Sequence, residues 1–312
     1  MNHPENNPAE VLRTEIGTLV TEAANPKYPD LAALSTTELV AGMNSEDVLV
    51  PAAIARAQDT IAGIIDEIAA RMAGGGRLIY VGAGTPGRMG ILDASECPPT
   101  FGTDPAQVVG IIAGGQAAVK QAVENAEDSM VAGAADMAAL EPSARDSVIG
   151  MAASGRTPYV IAAVEAARAA GAYTVGFACN NNSALGAAAQ TALEIEVGPE
   201  FLSGSTRLKA GTCQKMVLNM ISTITMVRLG KSYKNMMVDL RATNAKLHAR
   251  SARTLMQLTG CDAQAATAAL TAANGHLKTA IFSILTALPA DESARLLAQH
   301  KGFLPAALAA HQ

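Results

Sequence analysis

The sequence has few aromatic residues: they make up 3% of the 312 positions, and tryptophan is absent. Hydrophobic residues reach 49%, so aliphatic side chains must fill the core. A basic stretch is also lacking and the formal net charge is −5, which argues against nucleic acid as a partner. No apolar run approaches the roughly 18 residues of a membrane span, and the amino-terminal stretch MNHPENNPAE lacks the apolar part of a signal peptide. We therefore expect a cytoplasmic protein without a membrane segment.

Cysteine is scarce, and its spacing is uninformative. The four cysteines, Cys97, Cys179, Cys213 and Cys261, form no C-x-x-C pair, and the five histidines are scattered. Metal and redox motifs need closer spacing than this. The pattern predicts reduced structural cysteines, with no metal and no cofactor.

Short apolar segments alternate with helical patterns or turn clusters through the middle of the chain. Five of these segments are predicted strands: 77–82, 107–114, 146–153, 172–179 and 192–198. This order predicts an α/β fold of three layers, α/β/α, with a central parallel sheet covered on both faces. Ligands of such sheets bind at the carboxyl ends of the strands.

The chain divides into three predicted parts. Residues 1–50 form a helical N-terminal segment, 51–249 the α/β domain, and 250–312 a small helical C-terminal domain whose short Ala-rich helices are separated by glycine and proline. Ser45, followed by two acidic residues, predicts the start of a long helical pattern that runs to about Ala73.

The stretch YVGAGTPGRMGILDASECPPTFG contains a G-x-G-x-x-G pattern at Gly82, Gly84 and Gly87, directly after the first predicted strand. Dinucleotide-binding folds share this pattern, but they also need a long helix after it and an acidic residue at the end of the second strand. Pro98 and Pro99 predict an early end of the helix, and the second strand ends IIAGG without a carboxylate. Both observations argue against a dinucleotide.

A phosphate-binding loop is the alternative, because glycine lets backbone N–H groups approach an anion at a helix start. Three loops combine glycine, hydroxyl groups and arginine after predicted strands: Thr85 and Arg88 in the first, 154–157 (SGRT) in the second, and 203–207 (SGSTR) in the third. Each loop alone is equally well explained as an ordinary N-cap or turn. Their recurrence predicts a site for one monophosphate dianion.

Four segments resemble those of a known family: GAGTPGRMGILDASECPPTFG, GIIAGGQAAVKQAVENAED, GMAASGRTPYV and PEFLSGSTRLKAGTCQKMVLNM. They are similar to segments of the N-acetylmuramic acid 6-phosphate etherases, which have the sugar isomerase (SIS) fold. The resemblance runs from about Thr21 to Arg250, and DASECPPTFG and GSTRLKAGT are its most specific parts, while the C-terminal region fits more loosely. Pro86 departs from the family, which usually has serine there, and it removes one hydroxyl and one backbone donor from the expected phosphate site.

The resemblance implies cleavage of the lactyl ether of N-acetylmuramic acid 6-phosphate to D-lactate and N-acetylglucosamine 6-phosphate. A base removes the C2 proton of the open-chain sugar, an acid protonates the departing oxygen, and water adds back. By position in the family pattern, Glu96 is the proton donor and Glu127 the second acid/base, one of them held neutral by burial or by a like charge. The residues alone leave both glutamates equally well explained as surface charges.

The resemblance also assigns residues that bind the substrate. Glu200 would orient the sugar, although it is equally well explained as a helix-start carboxylate, and Lys209 would neutralise the phosphate or the lactate carboxylate. The full set is Gly84, Thr85, Gly87, Arg88, Ser154, Gly155, Arg156, Thr157, Glu200, Ser203, Ser205, Thr206 and Lys209.

The family implies a homodimer, and the apolar pattern over 208–229, which predicts a buried or interfacial helix, supports it. Two other functions stay open. A sugar-phosphate isomerase on the same fold also needs a base at C2. A sensor without catalysis, similar to the glucokinase regulatory protein, would bind a sugar phosphate without needing both glutamates.

Overall fold

The structure is a computed structural model that describes residues 16–239 and 245–311. The first 15 residues of the predicted N-terminal segment lie outside the described residues. The chain forms two compact units: the first comprises the residues up to Asp93 together with Val109–Ile221, and the second comprises Ala94–Val108 and Ser222–Gln312. The domain boundaries expected at 50 and 249 stay a prediction.

A five-stranded parallel sheet forms the centre of the first unit, in the order β2-β1-β3-β4-β5. All five predicted strands are confirmed: β1 Leu78–Gly82, β2 Val108–Ile112, β3 Ser147–Met151, β4 Tyr173–Ala178 and β5 Thr191–Glu194. Every residue of β1, β3 and β4 is buried, because helices cover both faces of the sheet. The α/β fold with its central parallel sheet is therefore confirmed.

Helices follow the strands as the sequence patterns predicted, and two 3-10 turns, Val20–Glu22 and Ala126–Asp128, lie between them. The helices up to the end of the sheet region are α1 Thr36–Asp47, α2 Leu49–Ala55, α3 Gln58–Ala73, α4 Gly84–Phe101, α5 Gly115–Lys120, α6 Met130–Ala138, α7 Pro158–Ala169, α8 Ala184–Ala188 and α9 Lys209–Arg228. Helices α4 and α9 contribute residues to both units.

The prediction that Pro98 and Pro99 end the helix early is wrong. Helix α4 runs on to Phe101, and the N–H of Gly102 still donates to the carbonyl of Pro98 at 2.9 Å. Both prolines lie in the last turn, where the missing N–H groups leave only two carbonyls of the preceding turn without a helical partner. The shortness of this helix therefore gives no argument against a dinucleotide. The absence of a carboxylate after β2, where the chain reads Ala113-Gly114-Gly115, still does.

The predicted helix start at Ser45 is also wrong, because Ser45 lies near the end of α1. The helix begins instead at a capping box: the Ser35 side chain accepts the N–H of Glu38, and the Glu38 carboxylate accepts the N–H of Ser35. The long helical pattern up to Ala73 is divided into three helices rather than one.

Among the described residues, no single helix has the length and apolarity to cross a membrane. Two segments, Thr36–Ala55 and Gln58–Ala73, meet the criteria only when taken together, and they are bent by 62°.

An ion pair ties the start of β1 to the start of β3. The Asp146 carboxylate accepts hydrogen bonds from the backbone N–H of Arg77 at 2.9 Å and from its guanidinium at 2.9 and 3.1 Å, and a further one from the N–H of Ser143 at 2.9 Å. Burial alone raises the pKa of Asp146, but these hydrogen bonds outweigh it and lower the pKa to about 2. The charged form of Asp146 therefore stabilises the fold.

We expect this stabilisation to disappear in acid. Because the pKa of Asp146 is lower in the folded than in the unfolded protein, its contribution of about 2 kcal/mol is complete above about pH 5 and falls away towards about pH 2. Asp146→Asn should therefore be less stable than the unchanged protein at neutral pH and approach it as the pH falls. Urea denaturation of both proteins across this range measures the difference, and a difference that does not change with pH would contradict the assignment.

The second unit is mainly helical, which confirms the predicted helical C-terminal region. Its elements after α9 are a two-stranded antiparallel hairpin, β6 Ser232–Tyr233 and β7 Met236–Met237, followed by α10 Ala245–Thr259, α11 Ala263–Ala272, α12 Leu277–Thr286, α13 Ala290–Gln299 and α14 Leu304–His311. Leu255, Ile281, Phe282 and Leu304 lie in its own hydrophobic core.

Candidate active site

A cavity of about 650 Å³, here called the strand-end cavity, opens in the first unit where β1 and β3 end. Ala83, which follows β1, and Ala152, which follows β3, form its floor. Seven of the residues predicted as catalytic or substrate-binding line it: Gly84, Thr85, Glu127, Ser154, Arg156, Thr157 and Thr206. The structure therefore brings together parts of all three predicted phosphate loops.

The second loop presents its hydroxyl groups at the start of α7. Thr157 is the N-cap residue of this helix, yet its side chain makes no capping hydrogen bond, while the Ser154 hydroxyl accepts the N–H of Arg156 at 3.3 Å. Gly155 between them has φ +72°, and a Cβ at this position would lie 2.4 Å from the Cβ of Ser183. Glycine is therefore required here, and the turn leaves polar groups and a helix start facing an anion site.

The first loop owes two of its three glycines to packing rather than to a ligand. A Cβ on Gly82 would lie 2.5 Å from the backbone nitrogen of Gly87, and a Cβ on Gly87 would lie 2.6 Å from the side chain of Ile112. These glycines allow the start of α4 to pack directly on β1. Gly84 is the residue of the pattern that lines the cavity.

Acidic groups form another part of the lining. Glu127 and Asp128 come from the 3-10 turn Ala126–Asp128, Glu22 comes from the turn Val20–Glu22, and all three are exposed. Arg156 is the one cationic side chain among the described residues that line this cavity. Since acids outnumber cations, a bound phosphate would rely on hydroxyl and N–H groups together with Arg156.

A smaller cavity of about 210 Å³ shares Ala83, Gly84 and Glu127 with the strand-end cavity. Arg88 lines this smaller space, and its Nε donates to the carbonyl oxygen of Val119 at 3.1 Å. Glu127 therefore lies at the junction of two spaces, one with Arg156 and one with Arg88.

A buried amide holds the amino-terminal wall of the strand-end cavity in place. The Asn180 side chain donates to the Thr21 hydroxyl at 2.9 Å and to the carbonyl of Ala153 at 3.1 Å, and its oxygen accepts the N–H of Thr21 at 3.4 Å. Both Thr21 and Asn180 are buried. This network places Glu22 beside the second loop, a contribution that sequence reasoning missed although TEAANP belongs to the resembling region.

Glu200 and Lys209 line neither cavity. Both carboxylate oxygens of Glu200 cap α9, accepting the N–H groups of Lys209 at 2.8 Å and Ala210 at 2.9 Å, and the Lys209 amine donates to Glu46 at 2.6 Å. Burial raises the pKa of Glu200, against the lowering effect of these N–H donors. The helix-start alternative for Glu200 matches this geometry, and the expected contacts of both residues with substrate stay predictions.

The remaining predicted residues lie outside the linings described above. Glu96 is exposed on the part of α4 that belongs to the second unit. Gly87 and Gly155 are buried behind the loops they shape, and Ser203 and Ser205 belong to the third loop, where only Thr206 reaches the strand-end cavity. The expected roles of these residues stay predictions.

Comparison with known proteins gives consistent results. A sequence profile of the glucokinase regulatory protein N-terminal SIS domain matches residues 60–168. Among solved structures, a sugar-phosphate-bound protein of E. coli CFT073 is 16% identical with a TM-score of 0.48, covering 62% of this chain and 93% of that chain.

Full-length relatives are much closer. The N-acetylmuramic acid 6-phosphate etherase of Streptomyces avermitilis is 56% identical over 96% of both chains. That of Streptomyces coelicolor is 54% identical over 99% of this chain and 97% of its own. That of Escherichia coli O81 is 51% identical over 93% of this chain and 97% of its own. The chain belongs to the N-acetylmuramic acid 6-phosphate etherase family.

Proposed function

We propose that this protein is a lyase that cleaves the D-lactyl ether of N-acetylmuramic acid 6-phosphate, in the breakdown and recycling of cell-wall amino sugars. The observation that carries the proposal is the position of Glu127. It shares one strand-end cavity with Ser154, Thr157 and Thr206, in a chain that is 56% identical to an etherase over almost its full length. An acid/base group and a set of phosphate-binding groups thus occupy the same space.

The reaction needs the sugar in its open form, with the aldehyde at C1. A base takes the proton from C2, the electrons form a C2–C3 double bond, and the C3–oxygen bond breaks as an acid protonates the leaving lactate. Water then adds at C3, and a proton returns to C2. We assign these proton transfers to Glu127 and Glu96, with Glu96 as the donor to the leaving oxygen.

The phosphate holds the sugar at its far end. We assign this role to the hydroxyls of Thr85, Ser154, Thr157 and Thr206 with Arg156, because they line the strand-end cavity and hydroxyl and N–H donors suit a dianion. Pro86 also lines this cavity and brings no N–H group, so Gly84, Thr85 and Gly87 must supply the backbone donors at the start of α4.

We propose a cytoplasmic homodimer. Helix α9 exposes Ile224 and Val227, one turn apart, at 41% and 43%, and α4 exposes Leu92 at 43% just before Glu96. A partner surface over these side chains would also cover the exposed carboxyl of Glu96. Cover of this kind is what a general acid needs to remain protonated near neutral pH.

Incubation of the purified protein with N-acetylmuramic acid 6-phosphate should release D-lactate and N-acetylglucosamine 6-phosphate in equal amounts. N-acetylmuramic acid without its phosphate should react with a kcat/KM lower by about a hundredfold, because the charged anchor is lost. If no lactate forms and a ketose appears from a hexose phosphate instead, the protein is an isomerase. Tight binding of a sugar phosphate with neither product would indicate a sensor.

A further inference from the structure

The second unit contains a cavity of its own, here called the C-terminal cavity, of about 510 Å³. All its lining residues belong to the second unit, and it shares none with the strand-end cavity. The charged side chains in the lining are Lys231, Asp239, Lys278 and Lys301, together with two histidines. Three lysines and one aspartate give this space a formal charge of +2 with the histidines neutral.

The arrangement of these charges leaves positive charge uncompensated. The Lys278 amine is buried and donates to the carbonyl of Gly230 at 3.0 Å and to the Asp239 carboxylate at 2.6 Å. The same Asp239 oxygen also pairs with Lys231 at 3.2 Å. One carboxylate therefore serves two ammonium groups, and Lys301 adds a third at the exposed rim. Burial lowers the pKa of Lys278 despite the nearby carboxylate, as expected where negative charge is insufficient.

Backbone groups in the same lining also favour an anion. Helix α12 begins at the cavity with Leu277, Lys278 and Thr279, and its N-cap residue His276 makes no side-chain capping bond. The first N–H groups of a helix lack partners within the helix and carry partial positive charge. Three lysines and a helix start thus converge on one space of a size typical of small-ligand sites.

We propose that the C-terminal cavity is a second anion-binding site, which takes a small phosphate monoester of about monosaccharide size. The phosphate would contact the Lys231 and Lys301 amines and the N–H groups at the start of α12, with Lys278 behind them. This site is independent of the strand-end cavity and of the reaction proposed there.

Calorimetric titration of the full chain with inorganic phosphate tests the proposal. The unchanged protein should bind two equivalents per chain, and Ser154→Ala/Thr206→Ala, which weakens the strand-end cavity, should retain one. Adding Lys231→Gln and Lys301→Gln to that background should weaken the remaining site by about tenfold or more. Both substitutions keep the Asp239–Lys278 pair, so the fold is retained. Lys246→Gln, an exposed lysine of α10 outside the lining, is the matched control.

A substitution of the opposite sign separates binding from structure. Asp239→Asn removes the one acidic group of the lining and should tighten phosphate binding by about threefold or more, whereas merely structural damage would weaken it. Acetate at equal concentration should not displace phosphate. The proposal is overturned if the double lysine variant binds like Lys246→Gln, if Ser154→Ala/Thr206→Ala binds no phosphate, or if acetate competes equally.

Discussion

Glu127→Gln is expected to lower kcat for lactate release by about a thousandfold, with little change in substrate binding. Glutamine keeps the size of the side chain and one oxygen acceptor, but it cannot take up and return a proton. Glu127 is exposed and lines both strand-end spaces, so the substitution disturbs no buried contact. Purified variant and unchanged protein are compared by steady-state lactate release.

Hydrogen exchange at C2 assigns the two glutamates to their steps. In D₂O the variant that lacks the base should incorporate no deuterium at C2, whereas the variant that lacks only the acid for the leaving oxygen should still exchange there without releasing lactate. With Glu96 as the donor, Glu96→Gln should retain exchange and Glu127→Gln should lose it; the reverse result would exchange their roles.

Glu165→Gln is the matched control, since Glu165 is an exposed glutamate of α7 that lines neither strand-end space. It should leave lactate release unchanged. Lactate release by Glu127→Gln at the rate of this control would remove Glu127 from the mechanism.

Glu46→Gln is expected to lower the free energy of unfolding by about 3–5 kcal/mol. The Glu46 and Lys209 side chains are 3% and 1% exposed and lie 2.6 Å apart. The substitution leaves the Lys209 ammonium buried without a carboxylate, and an unpaired buried charge is far more destabilising than a lost surface contact. Burial alone raises the pKa of Glu46, but the hydrogen bonds and charges of Lys209 and Lys27 outweigh it and lower the pKa.

The same carboxylate supplies its own control. Lys27 pairs with Glu46 at 3.0 Å, but 63% of its side chain is exposed. Lys27→Met should therefore leave stability almost unchanged, because solvent screens an exposed pair. Urea denaturation of Glu46→Gln, Lys209→Met and Lys27→Met compares the two partners. Equal losses for Lys209→Met and Lys27→Met would show that burial does not set the strength of this interaction.

The sheet could be predicted from the sequence because its strands are buried on both faces. Such strands read as short apolar runs between turns, and all five were found in this way. Helix limits were less predictable. Pro98 and Pro99 were read as breakers, but they lie in a final helical turn, where few hydrogen bonds are lost. The local acidic pattern after Ser45 was outweighed by the stronger capping box at Ser35.

Parts of the candidate site could be predicted for a related reason. The first two loops directly follow β1 and β3, so the parallel sheet itself brings their polar residues to one edge. Lys209 differs, because its partner Glu46 lies 163 residues away and local patterns do not reveal such a pairing. Glu22 escaped notice for the same reason, since the contact that places it runs from Thr21 to Asn180, 159 residues apart.

The buried amide of Asn180 limits how far the chain can be shortened from its amino end. A version that begins after Glu22 keeps all five strands, yet it removes Leu19 and Glu22 from the cavity wall and takes the Thr21 partner from Asn180. Such a truncation would still fold around its sheet while offering an open-sided space. Inhibitor screens run on it would then select compounds that the intact wall excludes.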